Sequence, residues 1–271
     1  KIEDEGFFQI NGEGRKYRGW KPEGHGVVDL KKAIVESSDV YFYELAFKTT
    51  VDKIYSFLKP FGFGKKTGIN LIGEGEGVLP TRSWKLGMTG DAWYVGDTIN
   101  LGIGQGYITT TPLQLAVAVS VLATKGKVYK PSLVERIDDS FVEPILLNQV
   151  RIQDEQNWNK IEESMISVIN SWNGTAHNIY NKEDVLMAGK TGTAQIKSLV
   201  EENLSVQEEY EDVRQDIMKR DHAIFVGYGP IPNPNLAVVV VIENGESGSA
   251  VAAPIAKLLI NNYQRTQDSD V

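Results

Sequence analysis

Apolar residues fall at helical spacing over Val28 to Thr49, at Leu30, Ile34, Val35, Val40, Tyr43, Leu45 and Phe47. Asp29 is placed to cap the start of this run. Ser37-Ser38-Asp39 interrupts it, which predicts two helices with a short polar corner between them. A short helix follows over Val51 to Leu58 and stops at Pro60 and Gly62. Thr109 to Thr124 predicts a further helix, with Pro112 in its first turn, where a missing N–H costs nothing. Leu113, Leu115, Ala116, Val119 and Leu122 are its apolar side chains. Asn157 to Ile169 and Ala250 to Tyr263 read as helices too.

The period changes elsewhere. Val128 to Ile137, Val185 to Gln195, Ala223 to Tyr228 and Leu236 to Glu243 read as strands. The run Val238-Val239-Val240-Val241 predicts a strand buried on both faces. Gly229 to Asn235, with Pro230, Pro232 and Pro234, is the turn before it. Gly6 to Gly26 reads as loop with short strands, and Gly64 to Gly106 as glycine-dense loop. Helices, then an antiparallel sheet, then a helix predict an α+β domain.

Composition narrows the function. The 271 residues are 41% hydrophobic and 24% charged, which is globular. Leu236 to Ile242 is the longest apolar run, far short of the about 20 residues that span a bilayer. Lys1 to Gln9 has no apolar signal core, so any export or anchoring segment is expected outside this chain. The net charge is −8 and there is no basic tract, which argues against a nucleic-acid partner. The absence of cysteine removes disulfides, thiolate–zinc sites and thiol nucleophiles. His25, His177 and His222 lie far apart, so no metal or other cofactor is expected. The charged insert Lys197 to Asp221 joins two strands. It reads as a solvated segment or as a mobile flap beside a site.

Two motifs carry candidate chemistry. Lys190-Thr191-Gly192-Thr193 lies on a predicted strand. An ammonium and two hydroxyls there suit a carboxylate, and Gly192 lets a ligand approach the backbone. The Thr193 N–H could meet a developing oxyanion. The triplet recurs at Lys66-Thr67-Gly68, in a glycine-rich stretch without strand pattern, where a structural turn is expected. In Ser37-Ser38-Asp39, a serine two residues before a carboxylate can relay a proton. Taken alone, these residues read first as a helix cap. Gly102-x-Gly104-x-Gly106 lacks the dinucleotide-binding spacing, and Gly64-Lys65-Lys66-Thr67 lacks that of a P-loop.

Together, a Ser-x-Asn-like motif and a downstream Lys-Thr-Gly strand resemble the penicillin-binding proteins and serine β-lactamases. More blocks agree with class B penicillin-binding proteins, the elongation type above all. They include Gly24-His25-Gly26, Phe61-Gly62-Phe63-Gly64, Pro80-Thr81-Arg82-Ser83-Trp84-Lys85 and Gly96-Asp97-Thr98-Ile99. Gly102 to Tyr107, Thr111-Pro112-Leu113-Gln114 and Asn173-Gly174-Thr175-Ala176 complete the likeness, which runs from about Gly12 to Leu259.

The resemblance implies a penicillin-recognising α+β fold with its site between Ser37 and the Lys190 strand. It implies a D,D-transpeptidase that cross-links peptidoglycan stem peptides and is acylated by β-lactams. Ser37 would pass protons, and Asp39 would fill the third place of the Ser-x-Asn motif. Lys190, Thr191, Gly192 and Thr193 would bind the terminal carboxylate. It also implies a periplasmic enzyme, anchored to the inner membrane outside this chain and partnered by a membrane glycan polymerase. The family nucleophile lies in a Ser-x-x-Lys motif before the Ser-x-Asn motif, yet Lys1 to Glu36 has no serine. Residues 1–271 are therefore expected to be a fragment of the transpeptidase domain. Ser56-Phe57-Leu58-Lys59 has the spacing but falls after Ser37. Asp39 stands where the family motif has Asn, as in elongation-type relatives. Some relatives bind a metal near His25, but with no cysteine a structural histidine is expected. A serine β-lactamase or penicillin sensor, and a non-catalytic cell-wall-binding domain, are the alternatives.

Overall fold

The computed structural model describes residues 1–194 and 220–269. The charged insert therefore lies outside the described residues except for Arg220 and Asp221. The chain divides into two compact units, Lys1–Ser164 and Met165–Val271.

In the first unit, β1 (Ile2–Asp4) pairs antiparallel with β4 (Gly26–Val28), and β2 (Phe7–Gln9) with β3 (Lys16–Arg18). The predicted pair of helices follows as α1 (Leu30–Val35) and α2 (Asp39–Thr49). Asp29 caps α1 by accepting from Lys32 N at 2.9 Å, as its position predicts. In α2 the buried stripe is Val40, Tyr43 and Ala46, at i, i+3 and i+6. Leu45 and Phe47 fall off that stripe and are exposed, contrary to the sequence reading. Next, α3 (Val51–Leu58) runs into a 3-10 turn at Lys59–Phe61, closed by Gly62 at φ 101°.

The stretch 64–106 is not all loop. It holds α4 (Arg82–Thr89) and α5 (Val95–Leu101). Both are short, and the glycines around and within them hide the helical pattern. Their stability comes from caps and a buried ion pair. Thr81 accepts from Trp84 N at 3.1 Å, Gly90 closes α4 at φ 77°, and Lys85 of α4 reaches Asp97 of α5 at 2.6 Å. The helix α6 (Pro112–Ala123) starts with a Thr111/Gln114 capping box. Gln114, 1% exposed, donates to Lys65 O and Glu76 O, each at 2.7 Å, and so fastens the preceding loop.

The strand expected over Val128 to Ile137 is broken. Pro131 interrupts it, having no N–H to give a ladder. What forms is β5 (Lys127–Tyr129) and, in a small hairpin, β6 (Arg136–Ile137) with β7 (Ser140–Phe141). A further strand, β8 (Leu146–Gln149), pairs with β5. One core cluster here joins Phe61, Val117, Val121, Val128, Val150 and Trp158, and another joins Tyr17, Tyr43 and Ile99. The first half of α7 (Gln156–Asn170) supplies Trp158, and its last turns belong to the second unit.

The second unit is a three-stranded antiparallel sheet in the order β11-β10-β9, made of β9 (Ala188–Ala194), β10 (His222–Gly229) and β11 (Leu236–Ile242). Thr191 stands opposite Phe225, and Thr193 opposite Ala223. A wide turn at Gly248–Ala252 leads into α8 (Ala253–Ser269), which packs on β10 and β11 through the buried Ala256 and Ile260. The valine run is not buried on both faces. Val238 and Val240 are buried on the helix-covered side, while Val239 and Val241 are only half-buried.

Candidate active site

The Ser37–Asp39 corner belongs to the first unit. Ser37 adopts φ 57°, a left-handed conformation that costs a residue with Cβ about 1–2 kcal/mol. Such strain collects where geometry serves function. The helix cap is Ser38, not its neighbours. Its Oγ accepts from Tyr41 N at 3.2 Å. The side chain is 0% exposed and donates to Asp4 Oδ2 at 2.5 Å. With Ser38 turned inward, Ser37 and Asp39 on either side of it are half-buried.

Trp20 clamps this corner twice. Its backbone N donates to Asp39 Oδ2 at 2.9 Å, and its indole Nε1 to the Ser37 carbonyl at 2.9 Å. His25 packs edge-on against the Trp20 ring at 5.5 Å and meets Asp4 Oδ2 through Nδ1 at 2.7 Å. Gly24, at φ 73°, lies so close to the Asp4 carbonyl that no side chain fits, which lets this loop cross β1. Burial would raise the Asp4 pKa. Hydrogen bonds from Ser38, Gly6 and His25 outweigh it and hold the carboxyl below its ordinary range.

His25 meets Asp4 through Nδ1, while its Nε2 is buried with no hydrogen-bond partner among the described residues. The residues around it do not make a metal site. Asp4 is occupied as an acceptor of hydrogen bonds, Ser38 is a neutral hydroxyl, and no group of three His, Cys, Asp or Glu suited to an ion occurs among the described residues.

The Lys190–Thr193 motif lies in the second unit on β9, one of the two outer strands of the described sheet. Thr191 and Thr193 project to one face, by strand alternation. Thr193 is exposed and Thr191 half-buried. Lys190 leaves from the other face, yet its Nζ returns to the Thr191 carbonyl at 2.9 Å, which brings the ammonium to the strand's own backbone. Thr175 Oγ1 lies 2.9 Å from Thr191 Oγ1. Beneath the strand, Gly248 packs against the Gly192 backbone so closely that a Cβ there would sit 2.7 Å from the Gly192 carbonyl oxygen.

The second triplet is a turn with an internal ligand. Glu74 Oε1 accepts from Thr67 N at 2.6 Å and Thr67 Oγ1 at 2.5 Å, and Glu74 Oε2 accepts from Gly68 N at 3.2 Å. The Thr67 hydroxyl bond leads in holding the Glu74 carboxyl below its usual range. Threonine and glycine of such a triplet therefore do hold a carboxylate, and here the protein's own fills the place. Ser56 sits on α3 with its Oγ bonded to Asp52 O at 2.8 Å, one helical turn back. That is ordinary helix back-bonding and activates no nucleophile.

Asp4, Trp20 and Thr175 are absent from the candidate residues read from sequence. Thr175 belongs to the Asn173-Gly174-Thr175-Ala176 block. Asp4 and Trp20 gave no local signal, because they reach the corner from 34 and 17–19 residues away.

A family model for the penicillin-binding protein transpeptidase domain matches residues 2–261. The chain belongs to that family. The peptidoglycan D,D-transpeptidase MrdA of Haemophilus influenzae is 39% identical over 266 residues, covering 97% of this chain and 40% of the relative. MrdA of Escherichia coli K12 is 35% identical over 260 residues, 94% of this chain and 40% of the relative. Among solved structures, Pseudomonas aeruginosa PBP2 in complex with WCK 5153 superposes with a TM-score of 0.82 at 40% identity, covering 94% of this chain and 52% of that one. PBP2 of Helicobacter pylori, in complex with MreC, gives 0.82 at 30% identity, covering 98% and 45%. The chain spans about two fifths of the length of the curated relatives it matches. Its mixed α+β architecture is that of the penicillin-binding transpeptidase fold.

Proposed function

We propose that this chain carries the proton-relay corner and the carboxylate-binding strand of a peptidoglycan D,D-transpeptidase. The nucleophilic serine and its lysine come from outside residues 1–271, since the only Ser-x-x-Lys in the sequence, at Ser56, is tied into its own helix. In the reaction, the serine oxygen attacks the D-Ala-D-Ala carbonyl and the terminal D-alanine leaves. A neighbouring stem peptide's amine then takes the acyl group and frees the serine. Ser37 passes a proton toward the departing amine, and Asp39 holds the corner against Trp20. Lys190, Thr191 and Thr193 receive the terminal carboxylate, Gly192 keeps the strand open to it, and the Thr193 N–H supplies half of the oxyanion hole.

One observation carries this reading. The Lys190 triplet lies on a strand with an ammonium at its backbone and an exposed threonine, whereas the Lys66 triplet is filled by Glu74. A strand of this kind also suits the carboxylate of a β-lactam. By the MrdA likeness the whole protein works in the periplasm, anchored to the inner membrane beyond this chain. There it serves cell elongation beside a glycan polymerase.

The full-length protein, given a pentapeptide ending in D-Ala-D-Ala and an acceptor amine, tests the proposal. Release of D-alanine with formation of the acceptor-linked product is expected. Hydrolysis without transfer would favour the β-lactamase or sensor alternative. No turnover and no penicillin adduct would leave only a non-catalytic domain.

A further inference from the structure

Asp4 is 2% exposed, lies far from Ser37 in sequence, and has no part in the proposed chemistry. Both its oxygens are nevertheless engaged. Oδ1 accepts from Gly6 N at 2.9 Å, while Oδ2 accepts from Ser38 Oγ and meets His25 Nδ1. A buried carboxylate is costly unless fully hydrogen-bonded, and a buried serine hydroxyl needs a partner of its own. Each meets the other's need, and the bond they share fixes one atom of the α2 cap. The same Ser38 oxygen accepts from Tyr41 N, so the start of α2 is set from both sides. The residue before this cap is the strained Ser37, and the residue after it is Asp39, bonded to Trp20 N.

We propose that Asp4 is a positioning residue for the Ser37–Asp39 corner, acting through the Ser38 hydroxyl. Holding Ser38 inward fixes where α2 begins and so keeps Ser37 in its left-handed conformation with its hydroxyl aimed for proton transfer. His25 braces the arrangement from the opposite side, packed between the Asp4 carboxylate and the Trp20 ring. The carboxylate is required because it faces donors at both oxygens. An amide in its place would turn a donor toward Ser38 and His25, or toward the Gly6 N–H.

This inference rests on the proposed role of Ser37, so its test includes that residue. In the full-length protein, acylation by a fluorescent penicillin is followed over a concentration series, which separates the acylation rate constant from the non-covalent binding constant. Ser37→Ala is expected to lower the rate constant. Asp4→Asn and Ser38→Ala are expected to lower it at least tenfold too, with the binding constant within about threefold, since the carboxylate strand is untouched. A merely structural role would weaken both constants together or lower only the melting temperature, and either result overturns the proposal. Should Asp4→Asn not fold, Ser38→Ala, which removes only the one hydroxyl, decides alone. If Ser37→Ala is slow while Asp4→Asn and Ser38→Ala acylate at the wild-type rate, Asp4 has no such role and the Ser37 reading stands. If Ser37→Ala acylates normally, the reading beneath it fails and the proposal with it.

Discussion

Thr175 Oγ1 and Thr191 Oγ1 lie 2.9 Å apart, so the central hydroxyl of the Lys190 motif is already half engaged within its own unit. A hydroxyl has one proton. If Thr191 donates that proton to a substrate carboxylate, it must accept from Thr175, and this bond then sets the direction of the rotor. Thr175→Val keeps the shape and removes the donor. One such bond is worth about 0.5–1.5 kcal/mol, so acylation of the full-length protein by penicillin should slow roughly two- to tenfold. Thr175→Ser should restore it. A Val variant indistinguishable from wild type would show that Thr191 needs no such direction.

Asp4 also makes the fold sensitive to acid. Its carboxyl is held below the ordinary range, so the unfolded chain takes up its proton at a higher pH than the folded one. The stabilisation is therefore fully present above the unfolded Asp value of about 3.9, and is lost as pH falls through the lower folded value. At neutral pH, Asp4→Asn should cost about 1–3 kcal/mol, the penalty of a buried donor left unsatisfied. Denaturant titrations from pH 7 downward should show wild type converging on the variant. A constant gap at every pH would contradict this.

The helices were legible where the apolar stripe is long, and obscure where capping and charge do the stabilising. The polar break at Ser37–Asp39 announced two helices, and Asp29 and Pro112 marked true helix starts. By contrast α4 and α5 are eight and seven residues long and are joined through a buried lysine, a residue whose sequence signal is that of solvent. The valine run had the composition of a doubly buried strand, but burial alternates along it, with Val238 and Val240 buried and Val239 and Val241 half-buried. In the candidate site, the residues that carry chemistry were readable because they cluster in short motifs. Asp4 and Trp20 were not, because a supporting contact made across 17 or more residues leaves no local pattern.

Lys85 is 2% exposed, lies 2.6 Å from Asp97, and sits over the rings of Tyr94 and Tyr107 at 4.6 and 5.1 Å. Burial pulls its pKa down, but Asp97 and Tyr107 outweigh that and hold it above the ordinary value. Its contribution is fully present below the unfolded lysine value of about 10.4, and is lost only as pH rises through the higher folded value. Lys85→Met should lower the melting temperature across neutral pH by stranding Asp97. The difference from wild type should shrink only in strong alkali. A variant as stable as wild type at pH 7 would show that the aromatic cluster, not the ion pair, joins α4 to α5.

In the proposed reaction the substrate meets only one of the two Lys-Thr-Gly triplets, the one at Lys190. Acylation of the full-length protein by a fluorescent penicillin, compared between Lys190→Ala and Lys66→Ala, measures that directly. Losing a charge-assisted hydrogen bond of about 1.5–3 kcal/mol should slow the Lys190 variant by roughly one to two decades. The Lys66 variant should acylate at the wild-type rate, because Glu74 already fills its turn. Equal slowing at both lysines, or slowing at Lys66 alone, would contradict the assignment of the Lys190 strand.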